Sequence, residues 1–179
     1  MSLKGKKVLI LIGPDFEDRE VFYPQLRLQE EGATVKTAGI GEKAYKGKYG
    51  IPLEVDGQCE DFVKETFDAV IVPGGWAPDK IRANAAALEI IRKAARQGNV
   101  VAAICHGGWV LASAEVVQGR TVTSFQNIKD DLIHAGAIWV DEEVVVDGSF
   151  VTARKPADLG AFCREIIALL VSAKVRVSG

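Results

Sequence analysis

The residues best placed to do chemistry are Cys105-His106-Gly107-Gly108, which follow directly on the run Val100-Val101-Ala102-Ala103-Ile104. Five small or β-branched residues in a row predict a buried strand, and Trp109-Val110-Leu111-Ala112-Ser113-Ala114 can begin a helix. A strand that breaks sharply into a helix is how a nucleophile is raised above the edge of a sheet. The helix start favours a thiolate over a thiol, and the glycines after the turn let the helix pack close. The competing reading is a buried structural cysteine followed by an incidental histidine, since free cysteine is among the most buried residue types.

Two other loops carry groups that such a nucleophile needs. Glu17 follows the apolar run Lys7–Ile12, and Gly74-Gly75 follow the run that ends at Val72. If the three strands are neighbours, a thiol, a carboxyl and a pair of unhindered backbone amides converge. A protonated Glu17 would donate a hydrogen bond to the Cys105 sulfur and later carry a proton. Each residue also has an ordinary reading: Glu17 as a solvated carboxylate at a helix start, Gly74-Gly75 as a plain turn, His106 as a structural hydrogen-bonding group. Adjacent residues on a sharp turn project apart, so the His106 ring is not expected to reach the Cys105 sulfur directly. Trp76 and Trp109 each follow one of the site loops and either wall a pocket or pack into the core. His134 lies near a helix C-terminus and is given no role, and Cys59 and Cys163 are read as structural or surface thiols.

The rest of the chain supplies elements to position these groups. Apolar runs at 7–12, 67–72 and 100–104 read as buried parallel strands, and Thr34–Ala38 as a shorter one. A helix is predicted from Phe16-Glu17-Asp18-Arg19-Glu20 onward, with Val21, Phe22, Leu26 and Leu28 on its apolar side, Pro24 kinking it or delaying its start, and Gly32 as its C-cap. A second helix runs from Pro78-Asp79 to Gly98. Residues 39–60 read as a hairpin or edge strands, and 125–135 as a helix stopped by Gly136. Val144–Thr152 reads as a β-hairpin with a type I′ signal at Asp147-Gly148, and Pro156 opens a last helix. Alternating strands and helices imply one domain over 1–179, a doubly wound, mostly parallel α/β sheet with ligands beyond the carboxyl ends of its strands.

Composition excludes other classes. A net charge of −2 gives no sign of nucleic-acid binding. No stretch is long and apolar enough to span a bilayer, and the first residues run into a strand with no signal-peptide core, so a cytoplasmic location is expected. Three cysteines without a C-x-x-C pair and only two histidines argue against a disulfide framework or a metal site. Any chemistry here is expected to depend on a thiol.

Phe16-Glu17-Asp18, Tyr23-Pro24, Arg27–Gly32, Pro73-Gly74-Gly75, Ala103-Ile104-Cys105-His106-Gly107, Asp141–Asp147 and Arg154–Leu159 together resemble the PfpI-type intracellular cysteine peptidases of the DJ-one/PfpI superfamily. The resemblance covers nearly the whole chain. It implies a flavodoxin-like fold related to class I glutamine amidotransferases, with Cys105 as nucleophile, Glu17 as its paired carboxyl, His106 beside it, and the Gly75 and His106 backbone as oxyanion hole. It further implies a carboxylate from a neighbouring subunit to orient the histidine, at the position of Asp79, and hence a homodimer or hexamer. No cofactor is implied. The family usually places a proline after Cys-His-Gly and a polar residue after Pro-Gly-Gly, where this chain has Gly108-Trp109 and Trp76. Two tryptophans at the mouth fit a small electrophile better than a polypeptide, and relatives with this constellation act as deglycases or as glyoxalase III on carbonyls such as methylglyoxal. Two functional readings stand side by side. One is a cysteine-dependent enzyme, either peptidase or amidohydrolase, or else glyoxalase or deglycase. The other is a non-catalytic redox-sensing or protective protein whose Cys105 oxidises.

Overall fold

The computed structural model describes residues 2–175. In chain order the elements are β1 Lys7–Leu11, α1 Asp18–Glu30, β2 Thr34–Gly39, β3 Ala44–Lys46, β4 Pro52–Glu54, β5 Gly57–Gln58, α2 Cys59–Phe62 and β6 Ala69–Val72. They continue with α3 Ala77–Ile81, α4 Ala85–Arg96, β7 Val100–Ile104, α5 Gly108–Ser113, β8 Thr121–Val122, α6 Lys129–His134, β9 Ile138–Trp139, β10 Val144–Asp147, β11 Phe150–Ala153 and α7 Leu159–Val175.

Seven strands form the main sheet in the order β10-β11-β7-β6-β1-β2-β5, parallel except for the β10–β11 hairpin. The uninterrupted apolar runs are thereby explained: β6 and β7 are buried along their whole length, as is β1 beyond Lys7, because helices cover both faces of the sheet. The β1–α1–β2 crossover steps in one direction along the sheet and β6–α4–β7 steps in the other. Right-handed crossovers then place α1 and α4 on opposite faces. Consistent with this, α1 packs with α7, while α3 and α4 pack with α5. The strand order reverses between β1 and β6, and a doubly wound sheet opens a crevice at that switch point. The loop of the third strand, β7, leaves the sheet one position away.

Several expectations are sharpened. Pro24 lies inside α1, which starts at Asp18 and continues through it. Leu26 is exposed, and the stripe that faces the core is Glu20, Val21, Pro24 and Leu28. Gly32, at φ +94°, closes α1, its N–H donating to the Gln29 carbonyl while that of Ala33 donates to Leu28. The helix expected from 78 to 98 is two helices, because the Asn84 side chain accepts the Ala87 N–H at 2.8 Å and caps a fresh start for α4. The hairpin turn is Gly148-Ser149 rather than Asp147-Gly148. Only Gly148 has positive φ, at +61°, which is the sign pattern of type II′ and not of type I′. Cys59 and Cys163 are both buried in the core. Among the described residues no helix is long and apolar enough to cross a membrane.

Candidate active site

β7 ends and the chain turns at Cys105, whose φ of +60° is left-handed, a conformation that costs a non-glycine residue about 1–2 kcal/mol. A single 3-10 turn, Cys105–Gly107, leads into α5. The turn closes because nothing projects from its glycines. A Cβ on Gly107 would lie 2.4 Å from the Val72 carbonyl oxygen, and one on Gly74 would lie 2.6 Å from both the Cys105 Cβ and Glu20 Oε2. The loop after β6 is tied in turn to the loop after β1: Glu17 N–H donates to the Gly74 carbonyl and Trp76 N–H to that of Asp15. The three loops thus form one rigid floor.

The carboxyl that faces the Cys105 thiol is Glu20, and not Glu17 as the sequence led one to expect. Glu20 is fully buried, and its Oε2 accepts the Gly74 N–H at 2.7 Å. The other oxygen, Oε1, is buried and meets no hydrogen-bond donor among the described residues. Burial, opposed by the Gly74 hydrogen bond and assisted by the charge of Glu17, raises Glu20 to about 8. At neutral pH it is therefore mostly a carboxylic acid. Burial also pushes Cys105 up to about 12, with the charge of an ionised Glu20 as the second cause, while the backbone N–H groups of His106 and Gly75 lower it. The hydrogen bond with Glu20 also raises Cys105, because an ionised Glu20 accepts the thiol proton; a protonated Glu20 neither repels the thiolate nor holds its proton.

Glu17 is itself buried but turned elsewhere, because it precedes the first turn of α1. Its Oε1 accepts from Arg19 Nε at 2.7 Å and its Oε2 lies 3.6 Å from Lys48 Nζ. Asp18, also buried, accepts the N–H groups of Tyr49 and Ile51 at 2.9 and 3.2 Å, clamping the loop that carries Lys48 over the site.

His106 is closer to the nucleophile than adjacency on a turn suggested. Its Nδ1 lies 3.2 Å from the Cys105 sulfur, since the left-handed residue swings the two side chains to the same side. The ring stacks on Phe125 at 5.0 Å and meets Trp109 at 5.2 Å and Trp76 at 5.7 Å. This enclosure lowers its pKa, with the nearby Lys48 charge as a second cause, so the ring is neutral at pH 7 and can accept a proton. Phe125 is held to the elbow by its N–H, which donates to the Cys105 carbonyl at 3.1 Å.

Around the thiol is a cavity of about 140 Å³ lined by Glu17, Arg19, Glu20, Lys48, Gly75, Trp76, Cys105, His106, Phe125 and Pro156. The backbone N–H groups of Gly75 and His106 point at the sulfur. The Gly74 N–H is taken by Glu20, so Gly74 serves by its lack of a side chain. Trp76 lines the cavity and is exposed on its outer side. Trp109 stands behind His106, its Nε1 donating to Asp131 at 2.6 Å, and faces a neighbouring groove with Trp76, Pro14, Asp15, Asp79 and Lys80. Asp79 does not reach the cavity in its own chain. It is exposed and paired with Lys80 at 2.8 Å.

The sequence pattern of the DJ-1/PfpI family matches residues 6–169. A deglycase of Pyrococcus horikoshii is 48% identical over 164 residues, covering 92% of this chain and 99% of its own length. The protein YraA of Bacillus subtilis, whose name proposes a cysteine protease, is 37% identical over 167 residues, covering 93% and 99%. Among solved structures, DJ-1beta of Drosophila melanogaster superposes with a TM-score of 0.88 at 27% identity over 93% of this chain and 90% of its own. A two-domain protein of Anabaena variabilis with DJ-1/ThiJ/PfpI-like and ferritin-like domains gives a TM-score of 0.88 at 41% identity, over 92% of this chain and 48% of that one. With its sequence matched along nearly its whole length and its sheet superposing on these structures, the chain belongs to the DJ-1/PfpI family.

Proposed function

We propose that this protein is a cysteine-dependent enzyme in which the Cys105 thiolate adds to the carbonyl carbon of a small electrophile of the methylglyoxal type, free or as an adduct on an amine. The observation that carries this reading is Cys105 beside Glu20 and His106 in a cavity of about 140 Å³. That volume holds roughly four or five waters, room for a three-carbon ketoaldehyde. The name of the Pyrococcus horikoshii relative, a deglycase, supports the same branch.

The chemistry proceeds from groups in place. Neutral His106 accepts the thiol proton across 3.2 Å. The sulfur bonds to the aldehyde carbon, and the electron pair of the carbonyl moves to oxygen, where the Gly75 and His106 N–H groups face it. Glu20 gives its proton to that oxygen. As a carboxylate it then removes the hydrogen on the former aldehyde carbon while the adjacent carbonyl oxygen takes the proton held by His106; Glu20 returns its proton to the adjacent carbon and recovers one from the hydroxyl of the former aldehyde carbon, which becomes the thioester carbonyl. One carbon is oxidised and its neighbour reduced, with no external electron acceptor. Water cleaves the resulting thioester to 2-hydroxy acid and regenerates the thiol. An adduct on an amine first breaks its carbon–nitrogen bond, the hydroxyl proton passing to nitrogen, so that the free amine leaves and the aldehyde that Cys105 attacks is restored.

Asp79 enters this reading only through a second copy of the chain, as a carboxylate that orients His106. Sedimentation of the active species tests it: an active monomer would exclude the role.

Wild-type protein and Cys105→Ala, incubated separately with methylglyoxal and with a labelled peptide, separate the branches. Lactate formed by wild type alone supports the carbonyl branch, and Cys105-dependent cleavage of the peptide supports the peptidase branch. If neither substrate turns over while Cys105 takes up oxygen at low peroxide, the redox-sensing reading replaces both.

A further inference from the structure

The mouth of the cavity is charged in a way that neutral methylglyoxal does not require. Arg19 and Lys48 both line it, and the buried carboxylate Glu17 is shared between them at 2.7 and 3.6 Å. Two cations and one ionised carboxylate line the cavity, since the other lining acid, Glu20, is held mostly neutral by burial and the nearby Asp18 carboxylate is turned away to the N–H groups of Tyr49 and Ile51. The cations are also positioned. Both lie against the ring of Tyr49, Arg19 at 5.7 Å and Lys48 at 5.1 Å from its centroid. Tyr49 is in turn fixed by its N–H to Asp18, and Lys48 by its own N–H to the Phe16 carbonyl at 2.8 Å. Gly47, on the same loop, packs so close to the Asp18 carboxylate that no side chain would fit there. These contacts hold a guanidinium and an ammonium group at the rim of a cavity with a thiol on its floor.

We propose that this rim is an anion subsite, where Lys48 and Arg19 bind a carboxylate carried by the carbonyl compound that Cys105 attacks. The inference rests on Cys105 as nucleophile and adds the class of molecule it takes: small oxo compounds with an acid group a few bonds from the reacting carbon. Glu17 holds the two cations together until the ligand carboxylate completes a two-cation, two-carboxylate arrangement. A neutral carbonyl compound of equal size enters the same cavity without this contribution.

Iodoacetate and iodoacetamide test the subsite without assuming any turnover. Both alkylate sulfur at the same carbon with loss of iodide, and they differ in charge. The rates are read at Cys105 by peptide mass mapping and expressed as the iodoacetate-to-iodoacetamide ratio, against the same ratio for free cysteine. The ratio at Cys105 is expected to exceed that of free cysteine by on the order of tenfold at low salt and to fall as salt is added, as for charged ligands focused into a cleft. Lys48→Met and Arg19→Met should each bring it back toward the free-thiol value, and Glu17→Gln should raise it. A wild-type ratio equal to that of free cysteine, or one that neither Lys48→Met nor Arg19→Met changes, overturns the subsite while leaving the nucleophile intact. Failure of both reagents to label Cys105 would instead remove the nucleophile reading on which the subsite rests. Should Glu17→Gln not fold, the two methionine variants still decide the matter.

Discussion

Replacing Glu20 by glutamine gives a test with a sign. The amide keeps the shape of the carboxyl and can still accept the Gly74 N–H, now 2.7 Å from Oε2. If Glu20 is a neutral acid beside Cys105, it donates to the thiolate. A hydrogen bond to a charged group contributes about 1.5–3 kcal/mol, or roughly one to two pKa units. An amide N–H is a weaker donor than a carboxylic acid, and losing about half of that contribution should raise the Cys105 inflection by about 0.5–1 unit. Below the inflection, the alkylation rate should fall roughly three- to tenfold. The assay is the pH dependence of iodoacetamide labelling at Cys105, resolved by mass. Cys59 and Cys163 interfere little, because both are sealed in the core while Cys105 lines the cavity. If Glu20 were instead an ionised carboxylate, removing its charge would lower the inflection and speed labelling. An inflection that falls, or does not move, in Glu20→Gln refutes the neutral-acid pairing.

Other expectations follow from the same contacts. Glu20, raised from 4.5 to about 8, is protonated in the folded chain where the unfolded chain has already lost the proton, so stability should fall as pH rises from about 4.5 to 8. In a Cys105→Ala background, which removes the titration of the thiol, Glu20→Gln should abolish that fall, with a gain of a few kcal/mol at pH 8 in denaturant unfolding. Gly107→Ala places a methyl 2.4 Å from the Val72 carbonyl, and should lower stability by about 1–3 kcal/mol or more in chemical denaturation together with loss of Cys105 reactivity. Asp18→Asn keeps the volume but removes the charge that accepts from Tyr49 and Ile51. It should raise KM for a carbonyl substrate more than it lowers kcat, since it loosens the loop bearing Lys48 and leaves the floor of the site in place.

Much of this architecture is written in local patterns. The apolar runs at β1, β6 and β7 announce strands buried on both faces, and the three loops that follow them proved to be neighbours because the sheet order is β7-β6-β1. The elbow at Cys105 is legible from its glycines, of which Gly107 is required by the close approach of the Val72 carbonyl. Glu17 is the first glutamate after β1, and that position alone does not make it the partner of Cys105. The better signal was helical phase: Glu20, Pro24 and Leu28 recur at four-residue spacing on one buried stripe of α1, and a glutamate on such a stripe needs a partner. The reach of His106 was missed because it depends on the left-handed backbone of Cys105, which residue types do not disclose. Arg19 lay in the opened helix and was assigned no role. Lys48 and Phe125 come from loops far from Cys105 in sequence, and tertiary packing alone brings them to the cavity. The tryptophans were half anticipated: Trp76 lines the cavity, while Trp109 backs His106 and opens onto the groove outside.

The central claim is that Cys105 attacks a small carbonyl, and its most direct test is the rate of lactate formation from methylglyoxal by wild type and by Cys105→Ala at equal protein concentration. The account predicts steady turnover by wild type and loss of at least about a thousandfold in the variant, whose fold is preserved because the alanine fills most of the same volume. Equal rates in the two proteins, or no lactate from wild type, would contradict it.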